Sequence, residues 1–411
     1  MKQLGCLAMV KRKKLLFISP RFLFPVSTGG QIRTTQILRG MNGGEFEITL
    51  LSPAPQNARE KYKKELLEVC NTFKYWPELK RGRFFNLFRF RHIFSKLPIP
   101  VTTDISSSGK NLIEIELSKS PDVVVFDFPH SVVLGPKRLQ AASVMFTHNV
   151  ESEIFRRHAK VANGLLKKYI WNNQYKKMCR YELNIFQRFD SIVAVSANDR
   201  SLLQSLYNAK NISVINTGVD LEYFKYNEPG KETRFVFTGS MDWFANIDGI
   251  EYFIRDILPL INKTIPDTSL DVVGRNPPKA LKDQLSTKEG KVNFTDFVDD
   301  IRPYVYQAGI YIIPLRVGGG TRLKVFEAMA MGCPMVSTTI GVEGLTLQEG
   351  KHYLRADTPE EFTDAVIRLI SDGDLCMRLS RCAREYVEMN YSYRQVAKEF
   401  ESICLRTIEN I

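Results

Sequence analysis

The run Pro314-Leu-Arg-Val-Gly-Gly-Gly-Thr-Arg-Leu-Lys-Val-Phe-Glu-Ala-Met-Ala-Met-Gly-Cys-Pro334 sets glycines, cations and a carboxylate in a useful order. An apolar strand closes at Pro314, Gly318, Gly319 and Gly320 free the backbone, and a helix is predicted to begin near Arg322 or Leu323. The N–H groups of a first helical turn have no intrahelical acceptor, and with the helix dipole they suit phosphate oxygens. Thr321 and Leu323 lie in that turn, and Arg322 and Lys324 add positive charge where a pyrophosphate would sit. Glu327 follows about one turn further on. From there its carboxylate can accept two hydroxyl hydrogens, as a ribose diol requires. Taken alone, the glycine and basic residues fit an ordinary turn with an exposed helix start just as well. The flanking Glu-Ala-Met-Ala-Met-Gly-Cys-Pro-Met-Val-Ser-Thr favours the phosphate reading.

Other candidates also follow apolar runs, where ligands gather in open α/β sheets. Thr147-His-Asn-Val-Glu151 supplies His148, Asn149 and Glu151, and Asp127 and His130 follow another such run. A solitary histidine is more often a satisfied structural residue, so position alone leaves His148 open. Ser27-Thr28-Gly29-Gly30 reads as a glycine turn after the first strand. Gly239 and Ser240, with Asn246 beyond them, follow Phe235-Val-Phe-Thr238, and Arg275 follows Val272-Val-Gly274.

Two series of strands must hold these residues. The first is predicted at Lys14–Ser19, Phe46–Leu51, Asp122–Phe126, Ser143–Thr147 and Ser191–Val195, with helices at Gln31–Arg39 and Leu165–Phe189. The second is predicted at Arg234–Thr238, Leu270–Val273, Val292–Phe294, Ile310–Ile313, Met335–Ser337 and His352–Leu354, with helices at Asp248–Ile261 and Lys324–Met331. Two successive βα series predict an α/β fold of two Rossmann-like domains. Glycine, proline and charge between Asn216 and Thr233 mark the connection.

At 411 residues the chain exceeds one compact core, and 44% hydrophobic with 25% charged residues predicts a folded, soluble protein. Seven cysteines without a C-x-x-C pair read as reduced thiols, not as a zinc site or a disulfide frame. The apolar run Leu4–Val10 is too short for a secretory segment and its basic residues follow it. The formal net charge of +12 points to anionic partners. Lys80-Arg-Gly-Arg-Phe-Phe-Asn-Leu-Phe-Arg-Phe-Arg-His-Ile-Phe-Ser-Lys96 has no acidic residue and predicts a basic, aromatic stretch for an anionic membrane surface. The other reading is an ordinary amphipathic helix packed on its own domain. Nucleic acid is disfavoured, because no groove-binding motif accompanies the charge.

The run from Gly318 to Gly344 resembles the donor-site signature of the retaining GT-B glycosyltransferases of family four (group 1). In that signature two glutamates stand either side of seven residues, and the second opens an E-A-M-A-x-G-x-P-V-V stretch. Glu327 matches the second, which the resemblance implies holds the nucleotide ribose. Gly319 stands where the first, a sugar-hydroxyl contact, is expected. Ser240 and Asn246 replace the Arg and Lys that serve the pyrophosphate, and Arg322 and Lys324 are expected to supply that charge. With Gly-Ser-Met-Asp-Trp243, Val-Val-Gly-Arg-Asn-Pro-Pro278 and Thr-His-Asn-Val-Glu151, the chain is similar to an exopolysaccharide-associated branch of sugar transferases.

The resemblance implies a GT-B architecture with domains facing across a cleft: residues 1–215 for the acceptor, 216–391 for the nucleotide-sugar donor, and a last helix, 393–411, crossing back. It implies transfer from a nucleoside diphosphate sugar to a saccharide or lipid-linked acceptor, with retention. Gly29 and Gly30 would face donor phosphates and His148 the anomeric carbon. Asp127, His130, Asn149 and Glu151 would face the acceptor. No metal or other cofactor is expected, and the location is cytoplasmic, at the inner membrane face. A nicotinamide oxidoreductase would need G-x-G-x-x-G after a strand, and none occurs. A catalytically silent sugar-nucleotide or membrane-binding protein of the same fold is the alternative.

Overall fold

The computed structural model describes residues 12–26, 28–79, 91–162, 164–230, 233–285, 291–317 and 323–411. The chain divides into two compact units. One is built on the chain up to Asn216 together with Arg394–Ile411, and the other is Thr217–Tyr393.

The first unit holds a seven-stranded parallel sheet: β1 (Lys13–Ile18), β2 (Phe46–Ala54), β3 (Thr72–Pro77), β4 (Val123–Asp127), β5 (Ala142–Phe146), β6 (Ser191–Ala194) and β7 (Ile212–Val214). Their order is β3-β2-β1-β4-β5-β6-β7. The second unit repeats the pattern with β8 (Arg234–Thr238), β9 (Ser269–Val273), β10 (Val292–Phe294), β11 (Ile310–Ile313), β12 (Met335–Ser337) and β13 (Leu354–Arg355). Its order is β10-β9-β8-β11-β12-β13. In each sheet the order reverses beside the first strand, which opens a crevice at the carboxyl ends of β1 and β4, and of β8 and β11. Parallel strands covered on both faces must be apolar throughout, and Val123, Val124 and Val125 are all fully buried.

β3 and β7 escape the sequence reading. Lys74 interrupts the apolar run of β3 because its ammonium bonds Glu116 at 2.6 Å. β7 is a three-residue edge strand, too short for any period. The glycine turn expected at Gly29 and Gly30 is corrected. Both glycines lie in the first turn of helix α1 (Gly29–Met41), and Thr28 is its cap. Thr28 and Gln31 form a reciprocal capping box that satisfies two helix-end donors, which is why the helix begins so early.

The last helix of the chain, Tyr393–Glu409, carries Val396, Ala397, Phe400, Ile403 and Cys404 into the core of the first unit. That spacing is one helical stripe. Phe400 meets Phe146 of β5 edge to face at 5.1 Å, and its truncation to Ala would cost about 3–5 kcal/mol. Among the described residues no helix is long and apolar enough to cross a membrane.

Candidate functional site

In the first unit, β1 delivers Ser19 and β4 delivers Asp127 to the reversal point. Asp127 is buried and accepts from Ser19 Oγ at 2.9 Å and from Thr34 Oγ1 at 3.2 Å. His148 Nε2 lies 2.6 Å from Asp127 Oδ1, and Arg33 Nη1 lies 2.8 Å from His148 Nδ1. The imidazole is sandwiched by Phe128, stacked at 4.0 Å, and Phe146 at 4.3 Å. Burial lowers the pKa of His148, more than the Asp127 carboxylate raises it. Burial likewise pushes Arg33 down to about 10, against the pull of Asp199 and Asp127, so it stays charged at neutral pH.

Phe128 holds a left-handed backbone, φ 63°, which costs a non-glycine residue on the order of 1 kcal/mol. Its ring crosses the start of α1, where a Cβ on Gly30 would stand 2.5 Å from the ring edge. Gly30 therefore lets the helix end and the ring share one wall.

That wall encloses a cavity of ≈ 240 Å³ lined by Ser19, Thr28, Gly30, Gln31, Thr34, Asp127, Phe128, His130 and Glu151, among others. His130 Nε2 stands 3.4 Å from Glu151 Oε2 and its Nδ1 3.8 Å from Asp104 Oδ2. Burial opposes a charge on this imidazole, but the two carboxylates prevail and raise its pKa. Gly30, Asp127, His130 and Glu151 thus meet at one cavity. Gly29 lies just beyond it. Asn149 is exposed, with its carbonyl accepting from Thr147 Oγ1 at 2.6 Å. His148 sits behind the wall, with both ring nitrogens bonded to protein.

Glu151 and Ser152 open helix α2 (Glu151–Val161), whose own cap residue, Val150, offers no side-chain acceptor. The acceptor comes from α3 (Leu165–Phe186): Glu182 takes the N–H of Glu151 at 2.8 Å and of Ser152 at 3.2 Å, and the Tyr207 hydroxyl at 2.6 Å. Burial pushes this carboxyl up to about 7, although all three bonds favour its ionised form. Glu182 is what holds Glu151 against the cavity.

In the second unit, the loop after β8 lies against the loop after β9. Gly239 N–H donates to Val273 O and Met241 N–H to Arg275 O, both at 2.9 Å. A Cβ on Gly274 would stand 1.9 Å from Gly239 O, so only glycine permits this approach. Arg275 Nε donates to Ser240 Oγ at 3.0 Å, and Ser240 Oγ donates to Asp242 at 2.5 Å. Helix α4 (Phe244–Tyr252) supplies Asn246, whose amide N donates to Ser240 O at 2.8 Å.

Helix α5 (Leu323–Met331) approaches the same loop. Lys324 Nζ donates to Asn246 Oδ1 at 3.0 Å and lies 4.0 Å over the Phe237 ring. A cation in a first helical turn works against the dipole, unless an anion is bound there. Glu327, one turn on, is half-buried, and no donor among the described residues bonds its carboxyl. Burial pushes it up to about 7, against the pull of Lys324. Gly239, Ser240, Asn246, Arg275 and Lys324 are thereby brought together at the carboxyl ends of β8 and β9, with Leu323 and Glu327 on the same helix as Lys324. Gly319, Gly320, Thr321 and Arg322 lie outside the described residues, as does Lys80–Phe90 of the basic aromatic stretch. Arg316, nearby, is taken up by both oxygens of Asp248, at 2.7 and 3.1 Å, and by the Tyr252 ring.

Sequence reading missed Arg33, Thr34, Asp104 and Glu182. A signal existed for Arg33, a lone charge among the buried positions of α1. Asp104 and Glu182 carried none, because each reaches the site from an element distant in sequence.

A family model for Glycosyltransferase Family 4 matches residues 27–223, and one for Glycosyl transferases group 1 matches residues 232–372. A Klebsiella pneumoniae relative, described as an uncharacterized 44.6 kDa protein in cps region, is 22% identical over 398 residues, 93% of this chain and 97% of its own. The D-inositol 3-phosphate glycosyltransferase of Corynebacterium glutamicum is 24% identical over 268 residues, 58% of this chain and 62% of its own. Among solved structures, sucrose-phosphate synthase from Thermosynechococcus elongatus aligns with a TM-score of 0.68 at 15% identity, over 97% of this chain and 100% of its own. Anabaena Alr3699/HepE in complex with UDP and glucose aligns with a TM-score of 0.63 at 11% identity, over 95% and 99%. At such identities the likeness establishes the fold, which is GT-B.

Proposed function

The chain belongs to the group 1 and family 4 glycosyltransferases, and from that premise we propose that it moves a sugar from a nucleoside diphosphate sugar to a saccharide or lipid-linked acceptor, with retention. One observation carries the reading: Lys324 at the start of α5 meets Gly239 at the end of β8, and one turn along the same helix the Glu327 carboxyl has no donor among the described residues. Lys324 serves the diphosphate, and Glu327 takes the ribose hydroxyls. Ser240, Asn246 and Arg275 shape the diphosphate side, and Arg322 is assigned to the same clamp.

In the transfer, the bond from the anomeric carbon to the diphosphate oxygen breaks and the acceptor oxygen bonds that carbon. The acceptor proton leaves with the diphosphate. Charge grows on the leaving oxygen, so Lys324 and the helix end stabilise the transition state more than the bound donor. No metal is assigned to this role. The cavity of Asp127, His130 and Glu151 takes the acceptor hydroxyls, and the buried Arg33–His148–Asp127 chain keeps its wall rigid.

The relative from a cps region supports a place in surface-polysaccharide synthesis. A lipid-linked acceptor would put the protein on the inner face of the cell membrane, through the basic stretch of residues 80–96. The deciding experiment is a thermal-shift panel of nucleoside diphosphates and their sugars, followed by release of diphosphate with acceptor. Saturating donor at about 100 times its dissociation constant stabilises by about 2.7 kcal/mol. No shift with any nucleotide would overturn the reading, and binding without turnover would leave a silent binder.

A further inference from the structure

Two acid-free stretches of the sequence meet in the first unit. Ile154–Tyr181 contains eight Lys and Arg and no Asp or Glu, and Arg91–Thr103 contains no Asp or Glu either. Lys177 Nζ donates to Ile93 O at 2.5 Å, and Ile99 N–H donates to Gln174 Oε1 at 2.8 Å. Leu97 and Trp171 pack on the same small cluster of Val101, Phe155 and Met178. The second stretch is thereby strapped along α3.

At the free end of α3 the apolar side chains point outward. Leu165 is 90% exposed, Leu166 73% and Tyr169 69%, and Phe94 on the strapped turn is 90% exposed. Single exposed leucines are ordinary. Three large apolar residues within five helix positions, interleaved with Lys167 and Lys168 in a stretch without Asp or Glu, are not.

We propose that the first turn of α3, with Lys160 at the end of α2, forms a docking surface for anionic phospholipid. Leu165, Leu166 and Tyr169 enter the headgroup boundary, while Lys160, Lys167 and Lys168 meet lipid phosphates. Charge complementarity selects an anionic partner. The leucines select a bilayer over nucleic acid, since aliphatic side chains give bases no ring to stack on. This deepens the membrane attachment proposed above by naming its contact, and the variants below separate the two.

The test is flotation of the full chain with vesicles of phosphatidylglycerol and phosphatidylcholine, against phosphatidylcholine alone. Wild type is expected to float only with the anionic vesicles, and less as salt screens the charges. The triple variant Leu165→Ser, Leu166→Ser, Tyr169→Ser should lose at least tenfold in bound fraction, as should Lys167→Glu with Lys168→Glu. An unchanged nucleotide-induced thermal shift verifies fold and donor site in each. If both variants float like wild type, this surface is not the contact, even if removal of residues 80–90 abolishes binding. Equal flotation on neutral vesicles would also overturn the proposal. So would single-stranded DNA binding that the same variants abolish, without flotation.

Discussion

Arg33 Nη1 lies 2.8 Å from His148 Nδ1, and this contact fixes the tautomer of a buried imidazole. A guanidinium N–H only donates. Nδ1 must therefore present its lone pair, and the single ring proton sits on Nε2, 2.6 Å from Asp127 Oδ1. Asp127 in turn accepts from Ser19 and Thr34 at the ends of β1 and in α1. A cation buried at the back of the cavity thus orients its front wall through a neutral ring.

Arg33→Met should release that constraint while keeping most of the bulk. The imidazole then loses the cation that opposed its protonation and keeps the Asp127 carboxylate that favours it, so its pKa rises. Nitrogen chemical shifts of His148 followed across pH should show the ring of the variant becoming doubly protonated at higher pH than that of wild type. Coincident titration curves would remove the role assigned to Arg33.

Glu327 links donor affinity to pH. Its folded pKa of about 7 lies above the unfolded range near 4.3, so the ligand-free protein loses stability from this group as pH rises between those values. Ribose hydroxyls prefer the ionised acceptor, so the dissociation constant for a nucleoside diphosphate sugar should fall as pH rises from 6 to 8. The slope approaches about tenfold per unit below the pKa. The sugar diphosphate has no group titrating there, and Glu327→Gln should flatten the profile.

Removing the cation in the first turn of α5 should weaken ground-state binding and chemistry together. Lys324→Met is expected to cost about 1.5–3 kcal/mol in diphosphate affinity, with a further loss in kcat as charge develops on the leaving group. Arg275→Met, at a half-exposed side chain, should cost less than about 1 kcal/mol. Normal turnover of the Lys324 variant would place the clamp elsewhere.

The meeting of the β8 and β9 loops should not tolerate one added methyl group. Gly274→Ala would put carbon 1.9 Å from Gly239 O, and overpacking on that scale costs about 3 kcal/mol. Melting temperature and nucleotide affinity should fall together, because the displaced loop carries Ser240. A variant that binds normally and melts normally would show that the loops can part freely.

Glu182→Ala should destabilise the first unit by about 3 kcal/mol, because it leaves two buried helix-end N–H groups without their acceptor and takes one of two partners from the Tyr207 hydroxyl. Glu182→Gln keeps one acceptor oxygen and should recover part of this. Chemical denaturation of the full chain measures both.

Much of this protein was legible in its sequence because the signals were local. Apolar runs such as Val123–Val125 and Ile310–Ile313 declare buried parallel strands by themselves. A glycine run, a basic helix start and a carboxylate one turn on are legible as a candidate anion site within a short span, and the structure puts Lys324 and Glu327 in one helix. What tertiary structure decided was every relation across sequence distance. Capping by Gln31 drew Gly29 and Gly30 into a helix where a turn was expected. Arg33, His148 and Asp127 come from three elements, and only the reversal of strand order at β1 and β4 makes them neighbours. Glu182 reaches Glu151 from another helix, and Lys177 ties the basic turn at Arg91–Lys96 to α3. Composition and periodicity report which face of an element is buried. They do not report what it is buried against, because that partner is chosen by the packing of the whole sheet.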